Sequence, residues 1–141
     1  MIDTVRTNRP MPNWYDTRRL CYKRSIRPRV LIVEDDPDLR ELMAQLLTCE
    51  GFDTDVASNG QDALDKALDN PPRVIVLDMV MPVMDGWTFR AHQRYSLTLA
   101  TIPVVILSGV PLAHLRGVGA AAALQKPIHD DELIAAIRAV C

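Results

Sequence analysis

From residue 29 to the end of the chain, short apolar runs rich in β-branched residues alternate with stretches carrying a helical repeat, and nothing else constrains the fold so tightly. Val30–Val33 has the composition of a buried parallel strand. Pro37 suits a first helical turn, and Leu39, Leu42, Met43, Leu46 and Leu47 follow at i, i+3, i+4, i+7 and i+8, which predicts one apolar face. Gly51 ends that helix. Asp53–Ala57 reads as a weaker strand, and Ser58-Asn59-Gly60-Gln61 opens a second helix with Ala63, Leu64, Ala67 and Leu68 inward. Pro71-Pro72 stops it, and Val74–Leu77 is the strongest central-strand signal in the chain. A third helix follows Gly86 with Trp87 and Phe89, but its second half, from Arg90 to Ser96, is poorly patterned. Ile102–Leu107 is another buried strand, and Pro111–Gly119 a short, glycine-interrupted connection. Ala120–Leu124 favours helix by propensity; its place in the alternation makes it a strand. Asp130–Val140 closes the chain as a helix with Leu133, Ile134, Ile137 and Val140 facing in. Five such units imply an α/β fold, a doubly wound parallel sheet with helices on both faces.

Charge divides the chain in two. Residues 1–29 carry eight Lys/Arg against Asp3 and Asp16, a net +6, so the remaining 112 residues carry −8. Residues 1–28 have too few apolar residues to fold alone, which predicts a disordered basic arm ahead of one domain over 29–141. Deleting the arm is expected to leave the domain's chemistry intact. Cys21, Cys49 and Cys141 have no metal-ligand spacing and are odd in number, which fits a reducing compartment. No apolar run is long enough to span a bilayer, and no signal-peptide core is present. A cytoplasmic protein is the expectation.

In doubly wound sheets, ligands bind beyond the carboxyl ends of the strands. Glu34, Asp35 and Asp36 follow the first strand, Asp78 the third, Ser108 and Gly109 the fourth, and Lys126-Pro127 the fifth. Carboxylates converging there repel one another unless a cation neutralises them, and hard oxygen donors with room for water suit Mg²⁺. A lysine and a hydroxyl beside them supply what a phosphoryl group needs, positive charge and a hydrogen-bond donor. The central carboxylate, Asp78, is the natural nucleophile, giving an acyl phosphate. Each part alone has an ordinary explanation. Asp36 and Asp38 are better read as helix caps, and a single Ser or Lys at a strand end is usually solvated. Asp78 is harder to dismiss, because an ionisable group directly after Val-Ile-Val-Leu is costly without a purpose.

Over residues 29–141 the sequence resembles the receiver domains of two-component response regulators. The resemblance is carried by Val30-Leu-Ile-Val-Glu-Asp-Asp-Pro-Asp-Leu-Arg40, Val76-Leu-Asp-Met-Val-Met-Pro-Val-Met-Asp-Gly86, Pro103-Val-Val-Ile-Leu-Ser-Gly109 and Lys126-Pro127, in that order. It implies a flavodoxin-like receiver fold with a five-stranded sheet in the order 2-1-3-4-5. By the same resemblance Asp78 is the phospho-acceptor, Asp35 binds Mg²⁺ directly and Glu34 through water, and the Val80 backbone carbonyl is a further metal ligand. Ser108 bonds the phosphoryl group and Lys126 pairs with it and with Asp78. Met81-Pro82 and Asp85-Gly86 shape the turn after the acceptor, small Gly109 leaves a path for the donor, and the Lys126–Pro127 bond is cis.

Three departures from the family pattern stand out. Ala123 occupies the place of the aromatic residue whose rotation ordinarily reports phosphorylation. Ser108 to Lys126 is a few positions short, so the fourth helix is expected to be shortened or a loop. The chain ends after the last helix, which implies a stand-alone form without a DNA-binding domain or membrane segment, a monomer or weak dimer. Its partners would be a sensor histidine kinase or histidine phosphotransfer protein and an unknown downstream protein. It would be a switch rather than an enzyme, assisting only its own phosphorylation and dephosphorylation. Apolar Val80 and Val110, where fast-resetting receivers place polar side chains, imply slow self-dephosphorylation. Competing readings are a degenerate receiver acting as a protein-interaction module and a phosphatase of the haloacid dehalogenase type. The phosphatase would need Asp-x-Asp where this chain has Val80, and an FMN-binding flavodoxin would not place Glu34-Asp35-Asp36 against a phosphate.

Overall fold

A computed structural model describes residues 27–141, so the expectation of a disordered arm over residues 1–28 falls almost wholly outside the described residues. Five parallel strands, β1 (Arg29–Val33), β2 (Asp53–Ala57), β3 (Val74–Asp78), β4 (Val104–Ser108) and β5 (Ala122–Gln125), form one sheet in the order β2-β1-β3-β4-β5. The α-helices are α1 (Pro37–Cys49), α2 (Gly60–Asp69), α3 (Gly86–Tyr95) and α4 (Asp130–Val140). Between β4 and β5 the chain makes only a 3₁₀ turn, Leu112–Leu115, as the short spacing from Ser108 to Lys126 implied.

Side chains alternate across each strand and so build two cores. Leu31, Val33, Ile75, Leu77, Val104 and Ile106 pack with Ala63, Leu64 and Ala67 of α2 and Phe89 of α3. Val30, Ile32, Val74, Val76, Val105 and Leu107 pack with Met43 and Leu47 of α1 and Leu133 and Ile137 of α4. Strands β3 and β4 are buried along their whole length, as strands covered on both faces must be.

Two inward assignments do not hold. Leu42 and Leu68 are 60% and 55% exposed. Each lies about 90° around its helix from the centre of the buried stripe at 3.6 residues per turn, so each falls at the stripe's margin. Two strand boundaries also move. Strand β4 begins at Val104, because Pro103 has no N–H to give to the ladder and contributes only its carbonyl, which accepts from Ile75 N–H at 3.0 Å. Strand β5 begins at Ala122, after Gly119 turns the chain at φ +75°.

Strands β1 and β3 are neighbours, yet the chain leaves them toward opposite edges. Their carboxyl ends therefore form the topological switch point, where an open α/β sheet leaves a crevice.

Candidate functional site: an acidic pocket at the switch point

Register fixes what meets in that crevice. Val33 pairs with Leu77, so the next residues, Glu34 and Asp78, lie level on adjacent strands. Asp78 pairs with Leu107 and Ser108 with Gln125, which brings Ser108 and Lys126 to the same edge. Carboxylate oxygens of Glu34, Asp35 and Asp78 lie within 4.8 Å of one another, with Glu34 and Asp78 buried and Asp35 exposed. Lys126 Nζ reaches Glu34 Oε1 at 3.2 Å and Asp78 Oδ1 at 3.3 Å. The Lys126–Pro127 bond is cis.

One lysine against three carboxylates leaves the pocket short of positive charge. Burial, and then the Asp78 charge, push the Glu34 carboxyl up to about 7, against the smaller opposing pull of Lys126. Burial on its own would lower the Lys126 ammonium, but the charges of Asp78 and Glu34 outweigh it and raise its pKa. A small, hard divalent cation fits this donor set: three carboxylates at one point, one of them open to solvent so that water can complete the shell. Asp36 stands apart as the N-cap of α1, with Oδ1 accepting from Asp38 N–H at 3.0 Å.

Ser108 is buried at the end of β4, but its hydroxyl is held in a local turn. Oγ donates to the Val110 carbonyl at 2.8 Å and accepts from Val110 N–H at 3.1 Å. Gln125 closes the same turn, its Nε2 donating to the carbonyls of Ser108 and Val110, both at 3.0 Å. Val110 is half-buried against the core, whereas Val80 is 58% exposed. Gly109 is exposed, and a Cβ there would meet nothing within 4 Å. Gly86 is the opposite case: a Cβ would stand 2.8 Å from Met79 Cα and 3.0 Å from the Asp78 carbonyl oxygen. The turn after Asp78 can therefore fold back onto it only with glycine at 86, and Gly86 N–H donates to the Met79 carbonyl at 2.9 Å.

Several supporting residues escaped the sequence reading. Arg40 Nη1 donates to the Glu34 carbonyl at 2.9 Å and so braces the turn that presents Glu34 and Asp35. Gln93 is fully buried, with Nε2 donating to the carbonyls of Leu99 and Ile102 and Oε1 accepting from Arg90 Nη1. Arg90 and Arg94 donate to the carbonyls of residues 117–119, holding the connection where a helix would otherwise stand. The poor pattern in the second half of α3 was the available signal. Gly86, Phe89, Arg90 and Gln93 are all buried on one stripe, so polar residues continue the apolar face.

The family model for the response regulator receiver domain matches residues 30–138, and the chain belongs to that family. It is 37% identical over 116 residues to a CpxR homologue from Haemophilus influenzae described as a transcriptional regulatory protein, covering 79% of this chain and 49% of that protein. It is 36% identical over 107 residues to the sensor histidine kinase TmoS of Ectopseudomonas mendocina, covering 76% of this chain and 11% of the kinase. Among solved structures, the chemotaxis response regulator CheY4 of Vibrio cholerae superposes with a TM-score of 0.75 at 28% identity, over 81% of this chain and 98% of that one. The chain thus spans about half the length of the first of these relatives and a small part of the second. The class of domain is the receiver of two-component phosphorelay signalling. No helix among the described residues is long and apolar enough to cross a membrane.

Proposed function

We propose that this chain accepts a phosphoryl group on Asp78 from the phosphohistidine of a sensor histidine kinase or phosphotransfer protein, and signals through a protein partner that reads the result. The observation that carries this reading is the convergence of Glu34, Asp35 and Asp78 within 4.8 Å, with Lys126 Nζ 3.3 Å from Asp78.

In the transfer, an Asp78 carboxylate oxygen attacks phosphorus, the N–P bond of the donor imidazole breaks, and an acyl phosphate O–P bond forms. Lys126 would turn from Glu34 toward the incoming phosphoryl oxygens, and Ser108 Oγ would transfer its donated bond from the Val110 carbonyl to one of them. Asp35, Asp78, the Val80 carbonyl and, through water, Glu34 are the groups that would hold Mg²⁺. An ion bound there would neutralise the carboxylates and the charge that develops on the transferring group. Exposed Gly109 leaves the approach to Asp78 open for the donor.

Incubation with acetyl phosphate and Mg²⁺, read by intact mass, tests the reading. One phosphoryl increment is expected, greatly reduced in EDTA and after Asp35→Ala. A chain that gains none with Mg²⁺ present would be a degenerate receiver that works as an interaction module.

A further inference from the structure

From Gly86 to His129 the chain contains no Asp or Glu, although it carries Arg90, Arg94, Arg116 and Lys126 and all three histidines, His92, His114 and His129. This stretch is +4, while the rest of residues 30–141 is −12. Three of those arginines meet at one place. Arg90, Arg94 and Arg116, with Trp87 and the backbone of residues 117–118, line a depression of about 150 Å³ between α3 and the β4–β5 connection. Arg90 and Arg94 turn toward the carbonyls of 117–119, and Gly119 lies so close that a Cβ would stand 3.0 Å from Arg94 Nη2. Among the described residues no carboxylate pairs with any of the three. Burial, and then the neighbouring Arg94 charge, lower the Arg90 pKa from its ordinary value, so the site is cationic and partly desolvated.

We infer that this depression is a docking site for the carboxylate side chains of a short acidic segment in a partner protein, with Trp87 as its apolar wall. Arginine forks match carboxylates in geometry as well as charge; exposed Arg94 and Arg116 present them here, while buried Arg90, bonded to Gln93 and the carbonyls of 118–119, adds its charge from below. The volume, about five waters' worth at ~30 Å³ each, admits one or two side chains and falls below the ~300 Å³ at which pockets for larger ligands begin. Nucleic acid fits poorly, since a long polyanion on this patch would run onto surface carrying the −12 remainder. The chain's own residues 1–29, at +6, have the wrong sign. A short acidic segment meets the arginines alone. The surface also adjoins the connection that replaces a helix, so a partner seated there would touch the segment leading from Ser108 to Lys126.

The inference does not depend on phosphoryl transfer and is tested apart from it. The chain has two tryptophans, Trp14 and Trp87, so Trp14→Phe in the full chain leaves Trp87 as the sole indole reporter. Titration with a tryptophan-free oligoglutamate peptide should change Trp87 emission saturably, and the affinity should fall as salt is raised. Arg116→Ala should weaken binding about two- to fivefold, the range of one exposed ion pair, and Arg116→Glu should abolish it. The circular dichroism spectrum and the urea midpoint should be unchanged in both variants, which shows that the fold survives. The inference is overturned by no saturable response, by an equal response in Arg116→Glu, by tighter binding of single-stranded DNA or inorganic phosphate, or by self-association of the chain accounting for the signal.

Discussion

Raising the pH of the metal-free protein should destabilise it, and Glu34 sets the size of the effect. This carboxyl is 1% exposed, and burial together with the Asp78 charge lifts its pKa from 4.5 to about 7. The folded state therefore holds the Glu34 proton more tightly than the unfolded chain does. The corresponding stability is fully present below about pH 4.5 and is lost as pH rises through about 7. The gap between the two values, at about 1.4 kcal/mol per pH unit, amounts to about 3–4 kcal/mol. Urea unfolding in EDTA at pH 5 and pH 8 measures it, with Glu34→Gln as the control that cannot ionise yet still offers Lys126 an acceptor. Wild type should lose about 2–3 kcal/mol more than Glu34→Gln between the two pH values. Added Mg²⁺ should reverse the trend at pH 8, restoring about 2.7 kcal/mol at a hundredfold excess over its Kd. Equal pH dependence in wild type and Glu34→Gln would refute the assignment of charge strain to this residue.

Three further outcomes follow from particular contacts. Gln93→Leu strands the Ile102 carbonyl and an Arg90 donor, while the Leu99 carbonyl keeps its bond from Ile102 N–H; it should cost about 2–3 kcal/mol, read from the urea midpoint. Gln125→Ala removes both bonds that tie its amide to the Ser108–Val110 turn; it should cost about 1–2 kcal/mol and speed amide exchange at Val110 while labelling of Asp78 persists. Val80→Asn/Val110→Glu should shorten the lifetime of phospho-Asp78, because the present valines give an attacking water no hydrogen bond. Unchanged decay, followed by intact mass after the donor is removed, would show that the valines do not set the lifetime.

Much of this could be read from the chain because strand ends and chemistry coincide. Asp78 and Ser108 end strands, and Glu34 and Lys126 lie directly after them. Once the sheet is parallel, they must converge. The truncated connection could be read by setting the Ser108–Lys126 spacing beside the family pattern. Leu42 and Leu68 were misassigned because a periodic pattern gives a stripe's direction but not its width. Gln125, Arg40 and Gln93 escaped for a different reason. Their partners are backbone carbonyls of turns, which have no signature in the identity of the residue that supplies them. The arginine-lined depression lay hidden for the same reason, since Arg116 meets Arg90 and Arg94 only through the fold of residues 111–119.

The central claim is that Asp78 is the single acceptor. Borohydride reduces an aspartyl phosphate to homoserine, so treating the acetyl phosphate-labelled chain with it and mapping peptides locates the modified residue directly. Homoserine is expected at position 78 alone, and none after Asp78→Asn. Homoserine at position 35 or 53 of the wild-type chain, or full labelling of Asp78→Asn, would contradict it.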